Sequence, residues 1–423
     1  MYYYAKIAIL SCLMAISPDS LRASDFDPLL NLDAYVRFAI ENNPGLERSY
    51  ARLQAALASV SPARAPADPR LSYGYFVDAV ETRVGPQQMR FGAAQTFPWV
   101  GTLNLRGRIA EQEAEVEAQR YEAARQALIF RVKEAYLDYY YLQRALTVTE
   151  SNLDLLAYSE EVGRTRYRGG IGAHAAVLKA QVELGRLAER LHSLRQRQRP
   201  VAARLNAALG RDVRAAVAVP DSLPPLTPIA DSLAAELLMT SPALQIARAQ
   251  AQAADLAVEL ASKRYYPKLT LTVDYLRTGL AQSDLPDSGK DPLVAMATVE
   301  LPLWRGVYRA EEDMVRAHRR AAQYAVRDEE ILLIAELETA LYKSRDAESR
   351  TELYQKNLLP KAEQAYNVAQ QAFAAGRSDF LSLVDAQRTL LEFQLAYERA
   401  RTDQALAVAE IEALVGGTKG VDE

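Results

Sequence analysis

Residues 373–387 read FAAGRSDFLSLVDAQ, and residues 167–181 read YRGGIGAHAAVLKAQ. Each copy has an aromatic residue three positions before a glycine, and each ends an apolar helical segment on Ala-Gln. A glycine between two helical patterns is typical of a tight turn. The chain therefore contains two related helix–turn–helix segments, 206 residues apart (376 − 170). They differ in charge, because Asp385 stands where the first copy has Lys179.

The duplication extends over the whole chain. Further matches occur in the same order in both halves: Asn43-Pro44-Gly45-Leu46 with Ser241-Pro242-Ala243-Leu244, Pro69-Arg70-Leu71-Ser72 with Pro267-Lys268-Leu269-Thr270, and Leu209-Gly210 with Val415-Gly416. An ordered series at a nearly constant shift indicates internal repeats. We predict a first repeat at 24–225, a second at 226–417 and a tail at 418–423, with a proline-rich linker between the repeats.

The N-terminal 23 residues have the layout of a secretory signal peptide. Lys6 precedes an apolar run from Ile7 to Ile16, and Pro18 and the small residue Ala23 follow. The run is too short to cross a bilayer as a helix. Cys12 leaves two interpretations open: an attachment point for lipid, or an ordinary residue of the apolar run.

Each repeat contains one segment with the alternation of a β-strand and, after a polar loop, a second segment that would pair with it. Residues 268–275 place Leu269, Leu271, Val273 and Tyr275 on one face and polar residues on the other. We predict strands at about 70–78, 90–97, 268–277 and 293–301. Their length suits a tilted crossing of a bilayer. Four strands cannot close a barrel, and open sheet edges do not occur in lipid, so several chains would have to pool their strands.

Long helical segments follow each pair of strands. Residues 102–168 contain no proline and predict a helix about 100 Å long at 1.5 Å per residue. Residues 307–375 contain no glycine and predict a second long helix, bent at Pro360. Return helices are predicted at about 173–209 and 379–415, and Asp379 is the predicted N-cap of the last one, with Ser378 as the competing candidate. Apolar residues every three or four positions favour coiled-coil packing.

Composition argues against several classes of protein. The chain has 50 Lys and Arg against 54 Asp and Glu, which provides no basic field for nucleic acid. Its single cysteine allows no intrachain disulfide or thiolate metal site, and its three histidines are far apart. No catalytic motif appears. We therefore expect no enzymatic activity, cofactor, metal site or nucleic-acid partner.

Several segments together resemble the TolC family of outer-membrane efflux and secretion ducts. Residues 32–46 (LDAYVRFAIENNPGL) resemble the opening helix of that family, and residues 95–101 (QTFPWVG) resemble the end of its second strand. Residues 359–365 (LPKAEQA) and the two segments quoted first resemble its helical hairpin tips. The resemblance covers nearly all of the mature chain and includes the heavy-metal and multidrug efflux branches.

The resemblance implies a mainly α fold with a small membrane β part. Each chain would contribute a long coiled-coil portion and four strands to a homotrimer, which completes a twelve-stranded barrel in the outer membrane and an α-helical barrel in the periplasm. The implied function is the exit duct of a tripartite pump that passively conducts substrates. The implied partners are outer-membrane lipid, a periplasmic adaptor and an inner-membrane transporter, either proton-driven or of the ABC type. Type I protein secretion and an exported coiled-coil scaffold without a pore are the alternatives.

The same resemblance places candidate functional residues at the hairpin tips. The candidates for a periplasmic gate are Lys179, Asp385 and Ser382, because Asp385 matches a pore-facing acidic position of the family. The candidates for adaptor contact are Tyr167, Gly170, Phe373, Gly376 and Arg377. We expect Lys179 and Asp385 to alternate around a trimer as three cations and three anions; the alternative is that they are two charges on solvated helix faces.

Overall fold

A computed structural model describes residues 31–170, 173–218, 222–223, 233–281 and 286–416. The predicted signal peptide with Cys12, the tail at 418–423 and most of the proline-rich linker lie outside the described residues. Among the described helices, none is both long and apolar enough to cross a membrane.

Each half of the chain has the same order of elements. The first contains α1 (Leu32–Asn42), α2 (Pro44–Arg64), β1 (Arg70–Thr82), β2 (Gly85–Phe97), α3 (Thr102–Arg168) and α4 (His174–Leu209). The second contains α5 (Leu233–Thr240), α6 (Pro242–Ser262), β3 (Lys268–Thr278), β4 (Leu293–Glu300), α7 (Arg305–Leu353), α8 (Leu359–Ala374) and α9 (Phe380–Val415).

The duplication is visible in the backbone at the ends of the return helices. Gly210 follows α4 and Gly416 follows α9, and both have φ of +74°, a conformation that L side chains rarely adopt. Each glycine packs against the junction between the first two helices of its repeat: Gly210 against Asn43, and Gly416 against Thr240. Asn43 caps α2 and also donates to the Ala208 carbonyl at 2.9 Å. The matched residue pairs therefore make the same glycine–helix contact in each repeat.

The four strands form one antiparallel sheet in the order β1-β2-β3-β4. The β2–β3 pair joins the two repeats, and β1 and β4 are the edges. β1 continues to Thr82, beyond the predicted end at 78, because an irregularity between Tyr75 and Val80 lets it pair again with the start of β2. β2 accordingly begins at Gly85 rather than at 90.

The two faces of the sheet differ as the alternation predicted. One face exposes large apolar side chains: Leu71, Tyr73, Tyr75, Phe91, Leu269, Leu271, Val273, Tyr275, Leu293 and Val299. Tyr73, Phe91 and Tyr275 form an aromatic row across three strands, with centroids 5.2 and 6.4 Å apart. The opposite face carries a two-bond ion pair between Arg90 and the buried Asp274 and a 2.9 Å contact between the hydroxyls of Thr96 and Thr270, and β4 adds the apolar Val294 and Met296 to it.

The helices pack as layers around α3. Towards the sheet, α3 lies between α2 and α6, and α7 packs on α6. Towards the tips, α3 lies between α4 and α9, and α7 and α8 pack on α9. Separate apolar clusters fill these layers: one where α1 meets α3 and α4, one at the tips, and one among α5, α7 and α9.

The second long helix, predicted at about 307–375, extends from Arg305 to Ala374 and contains one irregular turn. A π-helical turn, Tyr354–Leu358, separates α7 from α8. Pro360 follows in the first turn of α8, where its missing N–H removes an i→i−4 hydrogen bond. The wider turn accommodates this loss without breaking the rod, and the Tyr354 ring lies 5.8 Å from that of Phe393 on α9.

Candidate gate and hairpin tips

Two turns form the end of the molecule farthest from the sheet. α3 and α4 join through Gly170, and α8 and α9 join through Gly376, with φ of +73° and +75°. In the first turn the rings of Tyr167 and His174 lie 4.9 Å apart. In the second, Phe373 and Phe380 make an edge-to-face contact at 5.5 Å. In each turn, the aromatic residue before the glycine therefore packs against a ring that follows the glycine.

The repeated Ala-Gln anchors both return helices to the same rod. Gln181 of α4 donates to the Glu160 carboxylate of α3 at 3.2 Å. Gln387 of α9 donates to the Asn152 carbonyl of α3 at 2.7 Å and is buried. Because both bonds end on α3, this helix holds the return helices α4 and α9 beside each other.

Arg166, which the sequence analysis did not single out, joins the two tips. It lies in the last turn of α3, and its guanidinium donates to the Phe373 carbonyl at the end of α8. The same group lies over the Phe373 ring, 5.2 Å from its centroid. A cation suits the C-terminal end of a helix, where carbonyls lack partners. The first repeat thus caps the tip of the second.

Asp379 is the N-cap of α9, as predicted. Its Oδ1 accepts from the Ser382 N–H at 3.0 Å and from the Ser382 hydroxyl at 2.6 Å. These two bonds hold the pKa of Asp379 below its ordinary value, and the positive charge of Lys179 acts in the same direction. Ser382, a predicted gate residue, therefore donates to the helix cap, and Lys179 acts electrostatically on an acidic residue of its own chain.

Asp385 and Lys179 are both exposed. Within the described residues, no hydrogen bond or ion pair joins them, and the Asp385 carboxylate has no such partner. A different ion pair links α4 to α9 close by: Arg388 binds Glu183 at 2.5 Å, and Arg186 binds the same carboxylate at 2.8 Å. The Glu183–Arg388 pair had no signal in the sequence, because its members are 205 positions apart.

The predicted adaptor-contact residues divide into two groups. Tyr167, Gly170, Gly376 and Arg377 are exposed at the turns. Phe373 is buried, with 6% of its surface exposed, so its ring supports the turn and cannot offer contact surface. An aromatic residue next to a turn can either support the turn or offer contact surface. The ring contact between Phe373 and Phe380 shows that Phe373 supports its turn.

Comparison with known proteins identifies the family. The family model described as outer membrane efflux protein matches residues 36–211 and 233–417, almost the whole described chain. The chain belongs to the outer membrane efflux protein family. This is the TolC-like family that the sequence resembles, a family of outer-membrane channels rather than of enzymes. The protein is thus an outer-membrane efflux duct with a long helical periplasmic portion.

Individual members of the efflux protein family agree with this result. Outer membrane protein OprJ of Pseudomonas aeruginosa is 28% identical over 76% of this chain and 68% of its own length. The cobalt-zinc-cadmium resistance protein CzcC of Cupriavidus metallidurans is 24% identical over 92% of this chain and 90% of its own. The solved structure of the outer-membrane channel OprN has the same fold, with a TM-score of 0.78, 22% identity, and coverage of 91% of this chain and 90% of that one.

Proposed function

We propose that three copies of this chain close into one tube, which serves as the exit duct of a tripartite efflux pump. The tube is closed at rest by its hairpin tips and conducts substrates passively once the tips separate. This proposal rests on the two unlike edges of the chain, one from each repeat, which are present in the sheet and in both helical layers.

The first repeat supplies one edge and the second repeat supplies the other. In the sheet the edge strands are β1 and β4. In the helical layer nearest the sheet the outer helices are α2 and α7, and nearest the tips they are α4 and the α7–α8 rod. Exposed apolar side chains mark α7 along its length, including Tyr324, Ile331 and Tyr342. A head-to-tail ring would cover both edges at once, since an open sheet edge is not tolerated in lipid.

The number of copies follows from the width of the barrel. Two copies would give an eight-stranded barrel, whose interior is filled by its own side chains. Three copies give twelve strands, the smallest closed set from this chain that leaves a passage. β1 and β4 of neighbouring copies would run antiparallel, as all other neighbours in the sheet do.

The proposed partners follow from the geometry of the tips. The exposed turns at Gly170 and Gly376 are where a periplasmic adaptor would dock, with Tyr167 and Arg377 beside them. An inner-membrane transporter, proton-driven or of the ABC type, would supply energy and select the cargo. CzcC is named for resistance to metal ions, but the described residues of this chain contain no group of His, Cys, Asp and Glu suited to holding one. We therefore assign the choice of cargo to the transporter.

A disulfide across the sheet edges tests the ring. Ser72 of β1 and Thr298 of β4 lie near the helix-side ends of the edge strands, two residues from Arg70 and Glu300. In a double variant, Ser72→Cys with Thr298→Cys, oxidation is expected to give crosslinked trimers on denaturing gels. Each single variant is the control and should stay monomeric on the gel. Crosslinked dimers without trimers, or no crosslink in membranes, would count against the ring.

The charge difference between the two tips predicts a gate. Lys179→Asp places a third acidic group near Asp379 and Asp385, so repulsion should favour separated tips. A single exposed charge pair contributes little free energy, so we expect the leak conductance of the closed duct to rise about two- to fivefold for each charge pair that is lost. Planar-bilayer recording measures it. Lys179→Gln should have a smaller effect, and Lys361→Asp, at an exposed position on α8, should have none. An unchanged leak in Lys179→Asp would rule out this gate.

A further inference from the structure

A cavity of about 470 Å³ lies where the sheet meets the helices. Three strand ends meet there: Trp99 follows β2, Tyr266 precedes β3 and Leu301 follows β4. The rings of Trp99 and Tyr266 stack, with centroids 4.9 Å apart and planes 13° apart. Neither the duct nor the gate uses this cavity.

The cavity carries excess positive charge. Four cationic side chains line it, Arg106, Lys263, Arg264 and Lys268, against two acidic ones, Glu300 and Glu311, which leaves a net charge of +2 (4 − 2). Arg264 pairs with Glu311, and Lys268 lies 3.3 Å from Glu300. In the part of the chain that the structure describes, Arg106 and Lys263 have no carboxylate partner. The Lys263 ammonium lies 5.9 Å from the centre of the Tyr266 ring, at the side of the aromatic stack.

Beside the cavity, an exposed apolar segment follows β4 and begins with Leu301, which lines the cavity; this segment is the apolar rim. Leu301, Leu303 and Trp304 are 62%, 72% and 77% exposed, and they follow β4 directly. Tryptophan and tyrosine favour the depth of lipid headgroups, where one side of a ring is apolar and the other is wet. Two unpaired cations beside such rings match a phosphate that carries acyl chains, because the phosphate meets the cations and the chains follow the apolar rim.

We infer that this cavity binds the headgroup of an anionic phospholipid from the periplasmic leaflet of the outer membrane. Arg106 and Lys263 contact the phosphate, and Trp99 and Tyr266 flank the glycerol region. The inference rests on the proposed insertion of the sheet into the membrane. A bound lipid would fix the junction between sheet and helices, where β2, β3 and β4 give way to α3, α6 and α7.

Native mass spectrometry of the purified full-length assembly tests the site. The assembly is equilibrated with an equal mixture of phosphatidylglycerol and phosphatidylethanolamine. We expect phosphatidylglycerol to be retained preferentially, and we expect Lys263→Gln and Arg106→Gln each to reduce that preference about fivefold. Lys290→Gln, in the loop at the opposite end of the strands, is the matched control and should leave the preference unchanged.

Three outcomes would overturn the inference: equal retention of the two lipids, the same preference in Lys263→Gln and Arg106→Gln as in the unchanged protein, or occupancy by inorganic phosphate alone. Failure of the proposed ring is a separate result, because it appears as loss of the Ser72→Cys and Thr298→Cys crosslink in the same preparation. A crosslinked trimer without lipid preference would refute only the lipid site.

Discussion

Arg166→Ala is expected to make the resting duct leak. The substitution removes a charged hydrogen bond to the Phe373 carbonyl and the contact of the guanidinium with the Phe373 ring. Hydrogen bonds from charged groups contribute about 1.5–3 kcal/mol, so the population of separated tips should rise at least about tenfold. Single-channel recording of the assembly without an adaptor measures the open fraction directly.

Arg168→Ala is the matched control for this variant. Arg168 lies in the same last turn of α3, is exposed, and has no hydrogen bond or ion pair within the described residues. Its replacement should leave the open fraction unchanged. Arg166→Lys should give an intermediate leak, because lysine keeps the charge but lacks the planar group that lies over the ring. Equal leak from Arg166→Ala and Arg168→Ala would show that net charge, not the contact with Phe373, closes the tips.

Gly210→Ala is expected to cause a larger loss of stability than Gly416→Ala or Gly185→Ala. A β-carbon at this position would lie 2.7 Å from the Asn42 carbonyl oxygen and 2.9 Å from the Asn43 Cα. The left-handed backbone costs an L residue about 1–2 kcal/mol, and moving the junction of α1 and α2 adds to that. Guanidinium unfolding in detergent, followed by the helical circular-dichroism signal, should show an earlier transition.

Two other glycines separate the causes of that loss. Gly416→Ala shares the backbone conformation but meets its nearest atom, the Thr240 carbonyl oxygen, at 3.1 Å, so its loss should be smaller. Gly185 lies inside α4 with open space around it, and Gly185→Ala should raise stability by about 0.5–1 kcal/mol. If Gly185→Ala lowers the stability, the shift of the unfolding transition in these variants does not measure local backbone strain.

Much of the fold could be predicted because its signals are local. The strand at 268–278 follows from alternation, the strand at 293–300 follows as its partner after a polar loop, and α3 follows from 67 residues without proline. The errors occurred where two local signals compete. Phe76 disturbs the alternation of β1, and the register there shifts before pairing resumes at Val80. Pro360 predicted a bend in the helix, but the sequence did not predict the π turn that lies directly before α8.

The candidate site was less predictable, because its contacts join distant parts of the chain. The sequence indicated two tips and a charge difference between Lys179 and Asp385. It did not indicate that the Lys179 charge lowers the pKa of Asp379, that the Ser382 hydroxyl is bound in a cap, or that Phe373 is buried. Each of these depends on which face of one helix meets another, and several rotations of the helices satisfy the same apolar pattern.

By itself, the sequence determined the duplication, the order of elements, the two-faced sheet and the two glycine turns. These features depend on residue spacing and on the backbone freedom of glycine, which act over a few neighbouring residues. Only the tertiary structure decided how the repeats hold each other. Arg166 reaches a carbonyl 207 positions away, and α3 receives Gln181 and Gln387 from two different hairpins. Such contacts form only after the long helices have packed side by side. The close packing of their side chains sets the relative position of the helices, which the local sequence pattern does not determine.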